Sequence, residues 1–347
     1  MEGDFFVTDI LSVQRLRAIA RDEIMKWSKG TVYPASGSSK YSDSSSMAIE
    51  EARQKIESLL PGGNIWFTSG PDEAANWAIK GLAAAQRRKG NKSIATSDSH
   101  LSILNAIRSI QGDGEVVSSA TSAINIETGV LLNIHEWSQN VQENYPHARR
   151  IIDARGAIGR IELEPLTRHS DAIILDSETS GGPSGVGALW IRTGVRIEPL
   201  IHGSGQERGR RSGTVPVGLV RAFAAACNEA ELNRIKNTEL WNNHHSRLEE
   251  TIRSAGGIVH GETEPRAPGI TCASIPGDFA EIRIQYLEEK GIIASPASGC
   301  SSTAGKPSHV LTSMGIDADT AMRSLRFSLP EDTNSSDLER LLEALQN

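Results

Sequence analysis

Four carboxylates fall where α/β chains place their chemistry. Residues 171–176, DAIILD, alternate and are mostly apolar, the pattern of a buried strand, and they end in Asp176. The turn SETSGGPSG follows, too rich in Gly, Pro and Ser for helix or strand, and it carries Glu178 and Thr179. Residues 150–153 read as another strand, ending in Asp153. Residues 64–68 make a third, and Asp72 sits in the turn 69–73 between it and a helix over 74–88. Free backbone N–H groups at such a helix start favour an anion. Open α/β sheets hold ligands beyond the carboxyl ends of their strands. As a set, Asp72, Asp153, Asp176 and Glu178 would be hard oxygen donors for magnesium or calcium, but their spacing matches no known metal loop, so no metal site is expected.

Two further residues have chemical reach. Cys300 lies in a Gly/Ser-rich loop over 295–307, which leaves a thiol exposed; its reactivity would depend on its thiolate fraction. The bland alternative is a cysteine with no role. Arg326, in Leu325-Arg326-Phe327-Ser328, offers the flat fork that grips a carboxylate bidentately, or else a surface or dimer ion pair. Cys227 and Cys272 read as core. His244-His245 reads as a solvated helix face. Three cysteines this far apart form neither a disulfide framework nor a zinc pattern.

The elements that must position these groups alternate. Helices are expected over 47–60, 74–88 and 101–111, and strands over 64–68, 93–96, 115–118 and 150–153. Residues 171–176 and 187–192 make two more strands, and 215–243 a long helix continuing brokenly to 255. Repeated strand–turn–helix units imply an α/β fold, a mostly parallel sheet between helices. A composition break at Gly256-Gly257 suggests a small C-terminal α/β domain over 256–347 after a large domain over 31–255. Residues 1–30 carry Ile10, Val13, Leu16, Ile19 and Ile24 at helical spacing and read as an N-terminal helical segment.

The 347 residues carry a net charge of −7, which gives no case for a nucleic-acid surface. No run is long and apolar enough for a membrane span, and the N-terminus lacks the pattern of a signal peptide. The expectation is a cytoplasmic protein with reduced thiols.

Several stretches resemble one family. Gly182-Pro183-Ser184-Gly185-Val186-Gly187-Ala188-Leu189 is similar to the G-P-K-G run of cysteine desulfurases of the NifS/IscS type. These belong to the class V aminotransferase group of fold-type-I pyridoxal-phosphate enzymes. Tyr33-Pro34-Ala35-Ser36, Phe67-Thr68-Ser69-Gly70, Asn76-Trp77-Ala78-Ile79-Lys80-Gly81 and Asn125-Ile126-Glu127-Thr128-Gly129 resemble further family motifs. Ser298-Gly299-Cys300-Ser301-Ser302 resembles the loop of the persulfide cysteine. The family's first strand, Asp-x-x-Ala-Thr-Thr-Pro, finds no match in residues 1–30. The resemblance implies the PLP-transferase fold. It gives Asp153 the role of ring-nitrogen partner, His100 that of the stacking ring, and Asn125 and Arg326 substrate binding, with Arg326 on the substrate carboxylate. It also implies a homodimer, with residues 206–214 crossing to the partner.

Two departures stand out. The lysine that would carry the cofactor is Thr179, and the Thr, Ser and His of the phosphate cradle are Asp72, Asp176 and Glu178; only Thr214 survives. Two charges ~4 Å apart interact by ~4 kcal/mol at a surface-like dielectric, against ~0.3–1 kcal/mol from a helix N-terminus. The sequence therefore leads to the expectation of no bound cofactor, with Arg155 or the basic loop 208–211 filling the pocket. The expected role is a non-catalytic partner or regulator in sulfur metabolism, as a homodimer or a heterodimer with an active desulfurase. The alternatives are a cofactor-free persulfide relay through Cys300 to a sulfur acceptor protein, or an active desulfurase giving L-alanine and enzyme-bound sulfur.

Overall fold

The computed structural model describes residues 5–13, 15–29, 32–110, 112, 114–297 and 305–346. The chain forms two compact units. One comprises residues 14–123 and 132–232; the other takes in residues 1–13, 124–131 and 233–347.

In chain order, strand β1 (Phe6–Val7) precedes helices α1 (Ala18–Ser28) and α2 (Lys40–Leu59). Then come β2 (Gly63–Thr68), α3 (Pro71–Ala85), β3 (Lys92–Ala95), α4 (Leu101–Arg108) and β4 (Val116–Ser122). Helix α5 (Ile134–Asn144), β5 (Arg149–Asp153), α6 (Glu164–His169), β6 (Ala172–Asp176) and β7 (Gly187–Arg192) follow. A single turn, α7 (Gln206–Gly209), leads to α8 (Val217–Leu232) and α9 (Arg234–Ser254). The remainder is β8 (Ile258–Val259), β9 (Thr271–Ser274), α10 (Ala280–Glu289), β10 (Ile292–Ile293), β11 (Ser295–Pro296), α11 (His309–Ser313), α12 (Ala318–Met322), β12 (Ser324–Phe327) and α13 (Ser335–Gln346).

The larger unit is built on a six-stranded sheet of order β2-β7-β6-β5-β4-β3. Strands β3 to β6 run parallel, and β7 is antiparallel to both neighbours. The apolar residues of β5, β6 and β7 are buried, as a sheet covered by helices requires. Trp77, Ile79 and Leu82 of α3 pack with Ile103, Ile151, Ile174 and Leu189, all without measurable exposure. Each such side chain contributes about 1.5–3 kcal/mol of burial. Trp77 also donates its indole N–H to the Glu198 carbonyl at 2.9 Å. This core fixes the strand ends from which the site projects. Gly187 is required by closeness: a Cβ there would lie 2.7 Å from the Gly70 backbone, so β7 and the β2–α3 turn meet only without a side chain.

The second unit carries an antiparallel sheet of order β11-β12-β9-β8. Leu248 and Ile252 of α9 and Leu338 and Leu341 of α13 pack against Leu325, Phe327 and Ala273. Trp241 donates to the Leu329 carbonyl at 2.9 Å. Because α9 is bound into this core, the units divide at 232/233, whereas the composition break lies at 255/256. The expected continuous helix over 215–243 is broken at Asn233 into α8 and α9.

The N-terminal expectation also needs correcting. Helix α1 starts only at Ala18, and Ile10 and Val13 precede it. Residues 6–7 instead form β1, parallel to β10, with Phe6 buried in the second unit's core. Asp9 then bridges to Ser328. Residues 5–13 thus supply a strand that local pattern did not reveal.

Candidate active site

Asp153 and Asp176 end adjacent parallel strands, Asp153 pairing with Ile174 in register. Each first serves its own turn. Asp176 accepts from the backbone N–H groups of Glu178 and Thr179, both at 3.2 Å. Asp153 accepts from the Arg155 N–H at 3.0 Å. Short polar side chains at strand ends bind the following backbone in this way. Thr179 Oγ1 accepts from the Gly156 N–H at 3.0 Å, which ties the β6 turn to the β5 turn. Gly181 closes the β6 turn at φ 81, a conformation that suits glycine.

Arg155 organises the group. Its Nε lies 3.0 Å from Asp153 Oδ2, and Nη1 lies 3.1 Å from Asp72 Oδ1. Nη1 is also 2.8 Å from His100 Nδ1, and Nη2 donates to Ser102 Oγ at 2.6 Å. His100 caps α4, its Nδ1 accepting from the Ser102 N–H at 3.1 Å, so Nδ1 is the acceptor of the imidazole. Burial pushes the Asp176 carboxyl above its usual range; Arg155 and the turn N–H groups oppose this without cancelling it. Glu178 is raised by burial and then by the neighbouring Asp176 charge.

The basic loop is employed elsewhere. Arg208 pairs with Glu50 at 2.7 Å and Arg211 with Glu73 at 2.9 Å. Burial pushes Glu73 upward, but hydrogen bonds from Arg211 and Ser69 outweigh it and hold the carboxyl low. Buried Glu207 takes Arg53 bidentately at 2.8 and 2.9 Å and accepts from the Phe67 N–H at 2.7 Å. Of the two fillers weighed for the pocket, Arg155 is the one paired to Asp72 and Asp153. Thr214 is exposed and lines a cleft of about 200 Å³ with Phe67, Ser69, Gly185 and Arg211. Among the described residues no three metal-ligating side chains converge.

In the second unit, Arg326 is 3% exposed and held by its own chain. Its Nε lies 3.2 and 3.1 Å from the two Asp9 oxygens, and Nη2 is 2.9 Å from Oδ2. Nη2 also donates to Ser12, and Nη1 to the Ile126 carbonyl at 3.1 Å. The surface or dimer ion pair weighed for Arg326 is therefore corrected to an internal, buried one. Desolvation favours neutral Asp9, but the Arg326 charge and hydrogen bonds outweigh it and depress the carboxyl. Asn125 braces the adjoining turn, Oδ1 accepting from Glu127 and Thr128 N–H groups at 3.1 Å. Burial raises the Glu127 carboxyl, although Ser308 donates to it.

His244 and His245 are buried, not solvated; His245 Nδ1 lies 2.7 Å from Thr271 Oγ1. Burial pushes the Cys227 thiol up to about 12 and Cys272 upward too, so both are thiols at neutral pH. Cys300 lies outside the described residues. Sequence reasoning missed Asp9, whose partner is 317 positions away. The one signal was an acidic residue within the mostly apolar run FFVTDILSV.

The aminotransferase class-V family matches residues 110–341. The chain is 31% identical over 338 residues to a cysteine desulfurase IscS of Clostridium botulinum, covering 88% of this chain and 84% of that protein. It is 30% identical over 343 residues to the human cysteine desulfurase, covering 89% and 74% respectively. Among solved structures it is similar to a NifS-like protein, with a TM-score of 0.90, 23% identity, and coverage of 99% of this chain and 98% of that one. That likeness supports the PLP-transferase fold.

The expectation of no cofactor is corrected by these matches. They tie the chain to the aminotransferase class-V family and to cysteine desulfurases over most of its length, a family of pyridoxal-phosphate enzymes. Thr179 has a hydroxyl and no amine, so the cofactor would be held here without an imine to residue 179.

Proposed function

Because the chain belongs to the class-V aminotransferase family, among homologues of NifS/IscS-type cysteine desulfurases, we propose that it serves sulfur metabolism as a partner or regulator of an active desulfurase. The observation that carries this reading is Thr179 in the turn after β6, its hydroxyl engaged by the Gly156 N–H. A pyridoxal cofactor supplies an electron sink for the substrate carbanion. A lysine-dependent desulfurase needs an amine at this point, and threonine has none. Arg155 supports the reading further, since it pairs with both Asp153 and Asp72. Arg326, with Asn125 beside it, is the proposed site for an α-amino-acid carboxylate. The working assembly is a homodimer, or a heterodimer with the active relative, and the proposed compartment is the cytosol. No helix among the described residues is long and apolar enough to cross a membrane.

A second reading is an active desulfurase that converts L-cysteine to L-alanine and enzyme-bound sulfur. It is favoured by the near-full-length similarity to curated desulfurases. The test adds pyridoxal phosphate and L-cysteine to the purified protein and measures alanine. It then mixes the protein with an active desulfurase and measures the change in that enzyme's turnover. The expected outcome is no alanine alone and a dose-dependent change on mixing. Multiple turnovers by the protein alone would replace the first reading with the second. Loss of the mixing effect in Cys300→Ser would make the partnership a persulfide relay.

A further inference from the structure

Arg326 is the most completely enclosed guanidinium of the second unit, and the group that closes it comes from residues 5–13. Asp9 is fully buried and presents both oxygens to one edge of the fork, as a ligand carboxylate would. Ser328 donates a hydrogen bond to Asp9, and the Leu11 N–H donates at 3.2 Å, so the carboxylate is itself held in place. The segment bearing Asp9 is a short one whose Phe6, Thr8 and Asp9 are buried. Strand β1 is two residues long. Besides the β1–β10 pairing, main-chain bonds join Phe6 N–H to Gly291 at 2.9 Å, Thr8 N–H to Ile293 at 2.9 Å, Ile10 N–H to Ser328 at 3.0 Å and Ser328 N–H to Thr8 at 2.8 Å, and Thr8 Oγ1 donates to the Ile293 carbonyl and the Leu11 N–H to Ser328 Oγ, both at 3.0 Å. Opening is therefore confined to a short segment, which can separate without unfolding the whole sheet.

We propose that Asp9 is a resident occupant of the Arg326 carboxylate site, and that an α-amino-acid carboxylate reaches Arg326 only when residues 5–13 release it. Two carboxylates cannot share this edge: Asp9 already takes Nε and Nη2, and like charges at contact repel. The segment is therefore an internal competitor. It lowers the apparent affinity for the incoming carboxylate by the fraction of molecules in which Arg326 is free. This inference rests on the reading of Arg326 as the amino-acid carboxylate site.

The test uses the full chain and L-alanine, which keeps the α-carboxylate and lacks the thiol, with binding read by calorimetry. Asp9→Asn removes the charge and keeps the shape. It is expected to bind L-alanine about ten-fold or more tightly than the parent protein. Asp9→Asn with Arg326→Gln is expected to lose the gain. Ser328→Ala, which removes one grip on Asp9 and leaves the guanidinium untouched, is expected to give a smaller gain of about three-fold. It serves as the decisive variant if circular dichroism shows that Asp9→Asn does not fold. Unchanged affinity in the folded variants, or a gain that survives loss of Arg326, overturns the proposal. The partner reading is judged by turnover and this one by equilibrium binding, so each can fail without the other.

Discussion

Two arginines organise the candidate site residues, one in each unit, and they are held in opposite ways. Arg155 divides its donors among Asp153, Asp72, His100 and Ser102, and the Asp72 side chain is 69% exposed. Arg326 gives three contacts to the single carboxylate of Asp9, which has no exposure. The first arrangement can lose a partner and let water replace it. The second does so only at the cost of leaving a charge in a dry interior, unless another carboxylate takes the vacated place. Charge pairs that look alike in sequence thus carry different energies, and surroundings set the scale.

The largest expected effect breaks the closed pair. Asp9→Ala should cost about 3–5 kcal/mol in urea unfolding followed through the second unit. A loss within experimental error would place water at Arg326 and erase the contrast. The open pair is graded internally. Arg155→Ala should cost about 1–3 kcal/mol, since buried Asp153 keeps only a backbone donor. Asp72→Asn should fall within about 0.5 kcal/mol, as exposed pairs do. Equal costs for the two would mean that Asp72 is as deeply committed as Asp153.

The smallest effect is a difference of sign with pH. Asp9 titrates below its unfolded value near 3.9, so its contribution is complete above that pH and lost as acid carries the folded protein through the depressed pKa. Asp176 is raised by burial, so its ionised form costs stability at neutral pH. That cost is relieved as pH falls through the raised value toward 3.9. Carboxyl NMR titration should show the two moving to opposite sides of the ordinary range. A shared direction would remove the electrostatic part of the comparison.

Much of the larger unit was legible because its signals are local. The alternation of 171–176, the Gly-rich turn after it and the helix after Gly70 mark β6, its turn and α3 within a few residues. Asp153 and Asp176 read as strand ends because a polar residue stops an apolar run. The closed pair was not legible, since nothing within ten residues of Asp9 announces a partner in β12. His244 and His245 misled for a related reason. A polar pair on a helix reads as solvated until the strand that covers it is known, and Thr271 lies in that strand. The cofactor question was misjudged by weighing charges at single positions against a likeness that spans most of the chain.

The second unit is assembled from three separated stretches of chain, and this has a consequence for biosynthesis. Asp9 leaves the ribosome 317 positions ahead of Arg326. At ~5–20 residues per second the interval is on the order of 15–60 s. For most of it β1 has no β10 to pair with and Phe6 has no complete core to enter. The nascent chain must carry this apolar strand unpaired until β10 emerges, and chaperone capture or premature pairing of the strand would act before the second unit's core is complete.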